Sequence, residues 1–308
     1  MSGTTSDDAV VNADPGTGTD AGANANAAAG ASAHSSPKPE RGTSQRVNSA
    51  TANRIGNALA SQRARRGVGY GSRLLAFVLA PYLFPQSRVI LSHLPVLPEA
   101  DTDWEGTVDG PDPLRLLVLG DSTAAGVGVE SIRDGLAGNL ARELAAGLGR
   151  GIHWSVIARS GATTGEIRNF FLGLASRQPF DIVFVTTGVN DVMQLRTKRA
   201  FASDLALILD GLETASPDAS IILAGIPRME HFTSLPDPLG TILGARAYRM
   251  NTAAHSVLAA HPRIVHSPPW PIATPGFFAR DNFHPSAVGY AAWARKAVEY
   301  WLPRRSVK

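Results

Sequence analysis

From Pro113 onward the chain alternates short apolar runs with longer segments in which apolar residues recur every three or four positions. Apolar runs of four to eight residues read as strands, and the longer recurrence reads as a helix with one buried face. The first strand is Leu114–Leu119, nearly all apolar, as a strand covered on both faces should be. A helix follows over Ser131–Leu148, with Leu136, Leu140 and Leu144 on its buried side. The second strand is Ile152–Ala158, and a helix starts near Thr164, where Thr164 and Glu166 suit an N-terminal turn. Then come a strand at Ile182–Thr186 and a helix over Ala200–Thr214, with Phe201, Leu205, Ile208 and Leu212 on one face. A strand at Ser220–Ala224, a helix at Leu239–Ala259 and a short strand at Arg263–His266 continue the alternation. The last helix is expected to begin at Pro285, a residue favoured at the first helical position. Strands alternating with helices predict an α/β fold: a five-stranded parallel sheet with helices on both faces.

The first hundred residues follow no such pattern. Residues 1–53 are Ala, Gly, Ser, Thr, Asn and Asp with almost no large apolar side chain, so they are expected to form a disordered tail. Residues 54–112 read as a basic and apolar extension, and 113–308 as one folded domain. Within the extension, Leu74 to Phe84 is apolar but about half the length a spanning helix needs, and it carries Pro81. Three readings compete for it: a helix packed on the domain, an interfacial anchor flanked by Arg63, Arg65, Arg66 and Arg73, or a misplaced signal-like segment. Peripheral membrane contact through residues 63–84 follows from the second. The polar, acidic start has no apolar core of a signal peptide, so a cytoplasmic location is expected.

The 308 residues contain no cysteine, which excludes disulfides and thiolate metal sites. A net charge of +3, clustered rather than spread along a groove with interleaved aromatics, argues against nucleic acid. No His-Glu-x-x-His spacing, Gly-x-Gly-x-x-Gly strand end or Walker sequence is present, so metal and nucleotide sites lack a signature.

The chemistry lies where strands end. Leu114–Leu119 runs into Gly120-Asp121-Ser122, and far downstream stands Asp281-Asn282-Phe283-His284-Pro285. A serine is a weak nucleophile that needs an imidazole to take its proton, and the imidazole needs a carboxylate to fix its tautomer. Ser122, His284 and Asp281 supply those three parts. Acyl transfer also needs fixed N–H donors around the developing oxyanion. Gly161, after the second strand, and Asn190, after the third, can join the Ser122 N–H in that role. Each block alone has a plainer reading, Gly161 as a turn and Asn190 as a cap. Four in order, each at the same sheet rim, point to one site. Asp121 and Asp191 read as carboxylates that hold their loops. His284 is expected at the entrance of the last helix, whose dipole disfavours a charged imidazole while Asp281 favours it. Ser122 lacks the Gly-x-Ser-x-Gly elbow of α/β-hydrolases, since position 124 is Ala.

With Ser122, Gly161, Asn190 and His284 in four blocks, and Asp281 three residues before the His, the sequence resembles the SGNH or GDSL-type hydrolases over about 190 residues. The resemblance implies a flavodoxin-like three-layer α/β/α sandwich, a serine hydrolase of esters or thioesters, and no cofactor. The segment from Gly225 through Leu235 to Ala247 looks like a lipase and acyl-esterase branch. Apolar residues of the irregular loop there, Met229, Phe232 and Leu235, with Phe283 beside the histidine, are expected to line a cleft for a medium to long acyl chain. The rival readings are an acyltransferase of the same fold, a small-acyl carbohydrate deacetylase and a silent membrane-associated or scaffold protein.

Overall fold

The computed structural model describes residues 96–101 and 104–305. The expected tail, residues 63–84 with their membrane-contact reading, and most of the extension lie outside these. Among the described residues no helix is long and apolar enough to cross a membrane.

Six strands form one sheet: β1 (Glu105–Val108), β2 (Leu114–Gly120), β3 (Ile152–Ala158), β4 (Ile182–Val185), β5 (Ser220–Leu223) and β6 (Val265–His266). Their order is β1-β3-β2-β4-β5-β6, with every pair parallel except β1 with β3. The five parallel strands match the sequence reading; β1 is an addition from within the expected extension. Its burial alternates half-buried with exposed, so it offers no apolar run to detect.

The chain goes from β2 to β3 on one side, then crosses back to β4 on the other. Crossovers of one hand that run in opposite directions place their helices on opposite faces. Helix α1 (Leu136–Leu148) and the C-terminal α7 (Ala287–Trp301) pack together on one face. On the other, α5 (Lys198–Ala215) and α6 (Leu239–Leu258) pack together. With them lies the segment α2 (Thr164–Glu166), a π turn (Ile167–Phe171) and α3 (Leu172–Ala175). This is the expected α/β/α sandwich. A further short helix, α4 (Val189–Met193), follows β4 and was not anticipated.

The core sits along β2, where Leu116, Leu117, Val118 and Leu119 are wholly buried. Each such side chain contributes about 1.5–3 kcal/mol relative to exposure. The point where the connections change direction lies between β2 and β4, and crevices form there at the carboxyl ends of the strands. Gly120 ends β2 at that point. A Cβ on it would collide with the backbone and hydroxyl of Thr186, so the bare glycine lets the two strand ends close up.

Two boundaries differ from the sequence reading near the site. Helix α1 begins at Leu136 rather than Ser131, with the left-over residues forming turns. Helix α7 begins at Ala287, capped by the Ser286 hydroxyl, which accepts from the Gly289 N–H. Pro285 is instead bridged to Phe278, in extended pairing, and so cannot be the first helical residue.

Candidate active site

Ser122 stands on the turn after β2, and the turn is pinned from below. The buried Asp121 carboxylate accepts from the Thr123 N–H and hydroxyl and from the Thr186 hydroxyl. Burial pushes the Asp121 pKa up, and those hydrogen bonds counter only part of the rise. Across the turn, the Val127 N–H bonds to the Ser122 carbonyl. Val127's own carbonyl accepts from the buried Tyr290 hydroxyl at 2.7 Å. This ties the Ser122 loop to α7.

Asp281 and His284 share a hairpin-like loop closed by the Phe278–Pro285 bridge and by the Ala279 N–H on the His284 carbonyl. The Asp281 Oδ1 accepts from the Phe283 and His284 backbone N–H groups at 2.9 and 3.0 Å. Its Oδ2 lies 2.6 Å from His284 Nδ1, and His284 Nε2 lies 3.0 Å from Ser122 Oγ. Burial acts to raise the Asp281 pKa, but the His284 ring and the two backbone donors outweigh it and hold the carboxyl below its usual range. An ionised Asp281 accepts from a proton-bearing Nδ1, which leaves Nε2 free to accept from the Ser122 hydroxyl. His284 itself lies outside α7, three residues before its first residue, rather than at the helix entrance that the sequence suggests.

The three donor candidates come together at the same rim. Gly161 is exposed and takes a left-handed φ of +79° in the turn after β3. Among the described residues neither its N–H nor that of Ser122 donates a hydrogen bond. The Asn190 amide, in α4, gives one N–H to the Ala162 carbonyl at 3.0 Å, so side chain and Gly161 turn are mutually positioned and the second amide N–H remains.

Other groups hold this rim, and of these Glu99 was not singled out by sequence. Glu99, in the expected extension, accepts from the Ser160 N–H. Thr163 and Glu166 form a reciprocal capping box at the start of α2. Asp191, fully buried, accepts from the Thr164 N–H and hydroxyl and pairs with Arg196 at 2.8 Å. That bears out its reading as a loop-holding carboxylate. Burial works against the charge on Arg196, but bonds to Asp204 and Asp191 outweigh it and keep the guanidinium charged.

The expected acyl cleft is not where the sequence put it. Met229, Phe232 and Leu235 belong to the hydrophobic core. Phe232 packs its ring against Trp270, Phe278 and Phe283, with centroids 5.2–5.6 Å away. Apolar residues in an irregular loop look alike whether they line an opening or plug it; here they plug it. Only Phe283 stays partly exposed, its ring centroid 5.2 Å from that of His284. Phe232→Ala is therefore expected to cost about 3–5 kcal/mol of stability in denaturant unfolding, by opening a cavity. Unchanged stability with an altered acyl-length preference would restore the cleft.

The sequence profile of the GDSL-like Lipase/Acylhydrolase family matches residues 118–292. The chain is 30% identical over 191 residues to the GDSL-like esterase Rv1075c of Mycobacterium tuberculosis, a match covering 59% of each protein. Among solved structures it resembles the crystal structure of TesA, at TM-score 0.50 and 20% identity over 62% of this chain and 99% of that one. It also resembles the lipase Lip_vut3 from a goat rumen metagenome, at TM-score 0.51 and 19% identity over 63% of this chain and all of the other. These two likenesses speak for the fold; the profile match takes in Ser122, Gly161, Asn190, Asp281 and His284 together, and the chain belongs to the GDSL-like lipase/acylhydrolase family.

Proposed function

We propose that the protein hydrolyses carboxylic esters through an acyl-enzyme formed on Ser122. One observation carries this reading: Ser122 Oγ, His284 and Asp281 form a continuous hydrogen-bonded chain of 3.0 and 2.6 Å at the sheet's switch point. Ser122 Oγ attacks the acyl carbonyl as His284 Nε2 takes its proton, and Asp281 stabilises the imidazolium. The negative oxygen is met by the Ser122 and Gly161 N–H groups and the Asn190 amide. His284 then gives its proton to the leaving oxygen, and the acyl group stays on Ser122. Water, deprotonated by His284, adds to that carbonyl; the bond to Ser122 Oγ then breaks as Nε2 returns the proton to Oγ, and the acid is released.

A fluorophosphonate probe tests the core of this proposal, since it reacts only with an activated serine. Labelling at Ser122 is expected, with ester turnover lost in proportion. Labelling elsewhere, or none, would refute it. Products formed with and without an acceptor alcohol separate hydrolysis from acyl transfer.

Asn190→Ala is expected to lower kcat by about 10² to 10³ with a smaller change in KM, because its donor acts on charge present only in the transition state. A change confined to KM would make Asn190 a substrate-binding group instead.

The medium to long acyl chain expected from the sequence meets little apolar surface beside His284. A long chain needs apolar surface, at about 0.8 kcal/mol per buried methylene. With Met229, Phe232 and Leu235 withdrawn into the core, Phe283 is the apolar contact beside His284. We therefore read the site as one for short acyl groups, and a series of p-nitrophenyl esters measures the point.

A further inference from the structure

A depression of about 710 Å³ opens directly beside the Gly161 turn. One wall carries Arg159, Ser160 and Gly161, then Glu166, Arg168 and Asn169; the other carries Gln194, Arg196, Ser203 and Asp204. His284 takes no part in the lining. The π turn brings Arg168 and Asn169 to the groove, and such turns recur at functional sites.

The groove is built rather than incidental. Asp204, almost fully buried, receives Arg168 from one wall and Arg196 from the other, both at 2.7 Å. Arg196 also reaches Asp191, next to Asn190. Gly165 forms the floor: a Cβ there would stand 3.0 Å from the Arg196 guanidinium and from Asp204, so a bare backbone is what lets that pair lie across it. At the outer end Arg159 pairs with Glu166, whose carboxyl is held below its usual range by the Thr163 N–H and hydroxyl.

This lining selects among ligands. Gly161, Gly165 and Ala200 are its only non-polar residues, and none exceeds a methyl group, so an alkyl chain finds little surface to bury. Each guanidinium already has a carboxylate, which leaves little field for a free anion. A hydroxyl donates and accepts at once, and so matches a wall where carboxylate acceptors alternate with guanidinium and amide donors. We propose that this groove binds the polyhydroxylated half of the ester substrate, a sugar or similar polyol. The proposal rests on the esterase reading above and names the substrate class of that site.

The test compares matched esters. In the alcohol arm, an acetylated methyl glucoside competes with cyclohexyl acetate; in the acid arm, p-nitrophenyl dihydroxybutyrate competes with p-nitrophenyl butyrate. Wild type is expected to favour the hydroxylated ester by about tenfold or more in kcat/KM in one arm, which identifies the half that is bound. Ala200→Trp, which fills the groove, and Asn169→Ala are each expected to cut that ratio about tenfold. Ratios near one in both arms, or ratios that the variants leave unchanged, would overturn the proposal. Turnover of p-nitrophenyl acetate by wild type reports separately on the esterase reading. Saturation-transfer NMR with cellobiose on the Ser122→Ala protein needs no turnover at all. Signal transfer that disappears in the Ser122→Ala, Ala200→Trp double variant supports the groove, and its absence in the parent sinks it.

Discussion

Ser122→Ala and His284→Ala are each expected to lower kcat by about 10³ to 10⁶ while the fold survives. Removing Oγ abolishes the nucleophile, and removing the imidazole strands it as an un-ionised hydroxyl. Because both act on one proton transfer, the double variant should be little worse than either single one. Among the described residues the Ser122 side chain makes no hydrogen bond other than that to His284, so its loss leaves the pinned turn intact. Circular dichroism and thermal unfolding close to wild type are the control. Near-normal ester turnover by either purified variant would remove the mechanism.

Asp281→Asn is expected to cost about 10³ to 10⁴ in kcat with only modest loss of stability. The amide oxygen can still accept the Phe283 and His284 N–H groups that Oδ1 now holds. Its NH₂ would then face His284 Nδ1 as a donor, which forces the ring into the tautomer whose Nε2 already carries a proton. Nucleophile activation fails although the loop stands. The depressed pKa of Asp281 gives a further check on sign. A carboxyl whose folded pKa lies below its unfolded value stabilises the fold above the unfolded value of about 3.9, and that stabilisation disappears as pH falls through the folded value. The wild-type advantage in stability over Asp281→Asn should thus be flat through neutral pH and shrink only in acid. A gap that shrank near neutrality would contradict the ionised, well-bonded carboxylate.

Much of the parallel sheet was legible because doubly covered strands carry their signal in composition. Ile152–Ala158 is placed to the residue, and Leu114–Gly120 and Ile182–Val185 within one. The site was legible for a related reason: an open sheet brings the loops after β2, β3 and β4 to one rim whatever lies between them. What stayed hidden depends on contacts remote in sequence. Glu99 meets Ser160 across 61 positions, and no local pattern marks that bond. Phe232 faces three aromatic rings rather than an opening, a distinction that apolar character cannot make. Pro285 has the right chemistry for a first helical residue, but pairing with Phe278 claims its backbone first.

The antiparallel strand β1 bears on self-association. It covers the outer side of β3 from Ile152 to Ser155, and the sheet's other border, β6, is only two residues long. A long uncovered border strand presents a row of free donors and acceptors that another copy can extend. Cutting the chain at residue 113, where the apolar alternation begins, would uncover the border of β3 from Ile152 to Ser155, with Trp154 among its residues. Such a shortened protein would keep every catalytic side chain and yet expose a template for edge-to-edge growth. Glu105 to Val108, poor in apolar character and easily taken for linker, thus guards solubility.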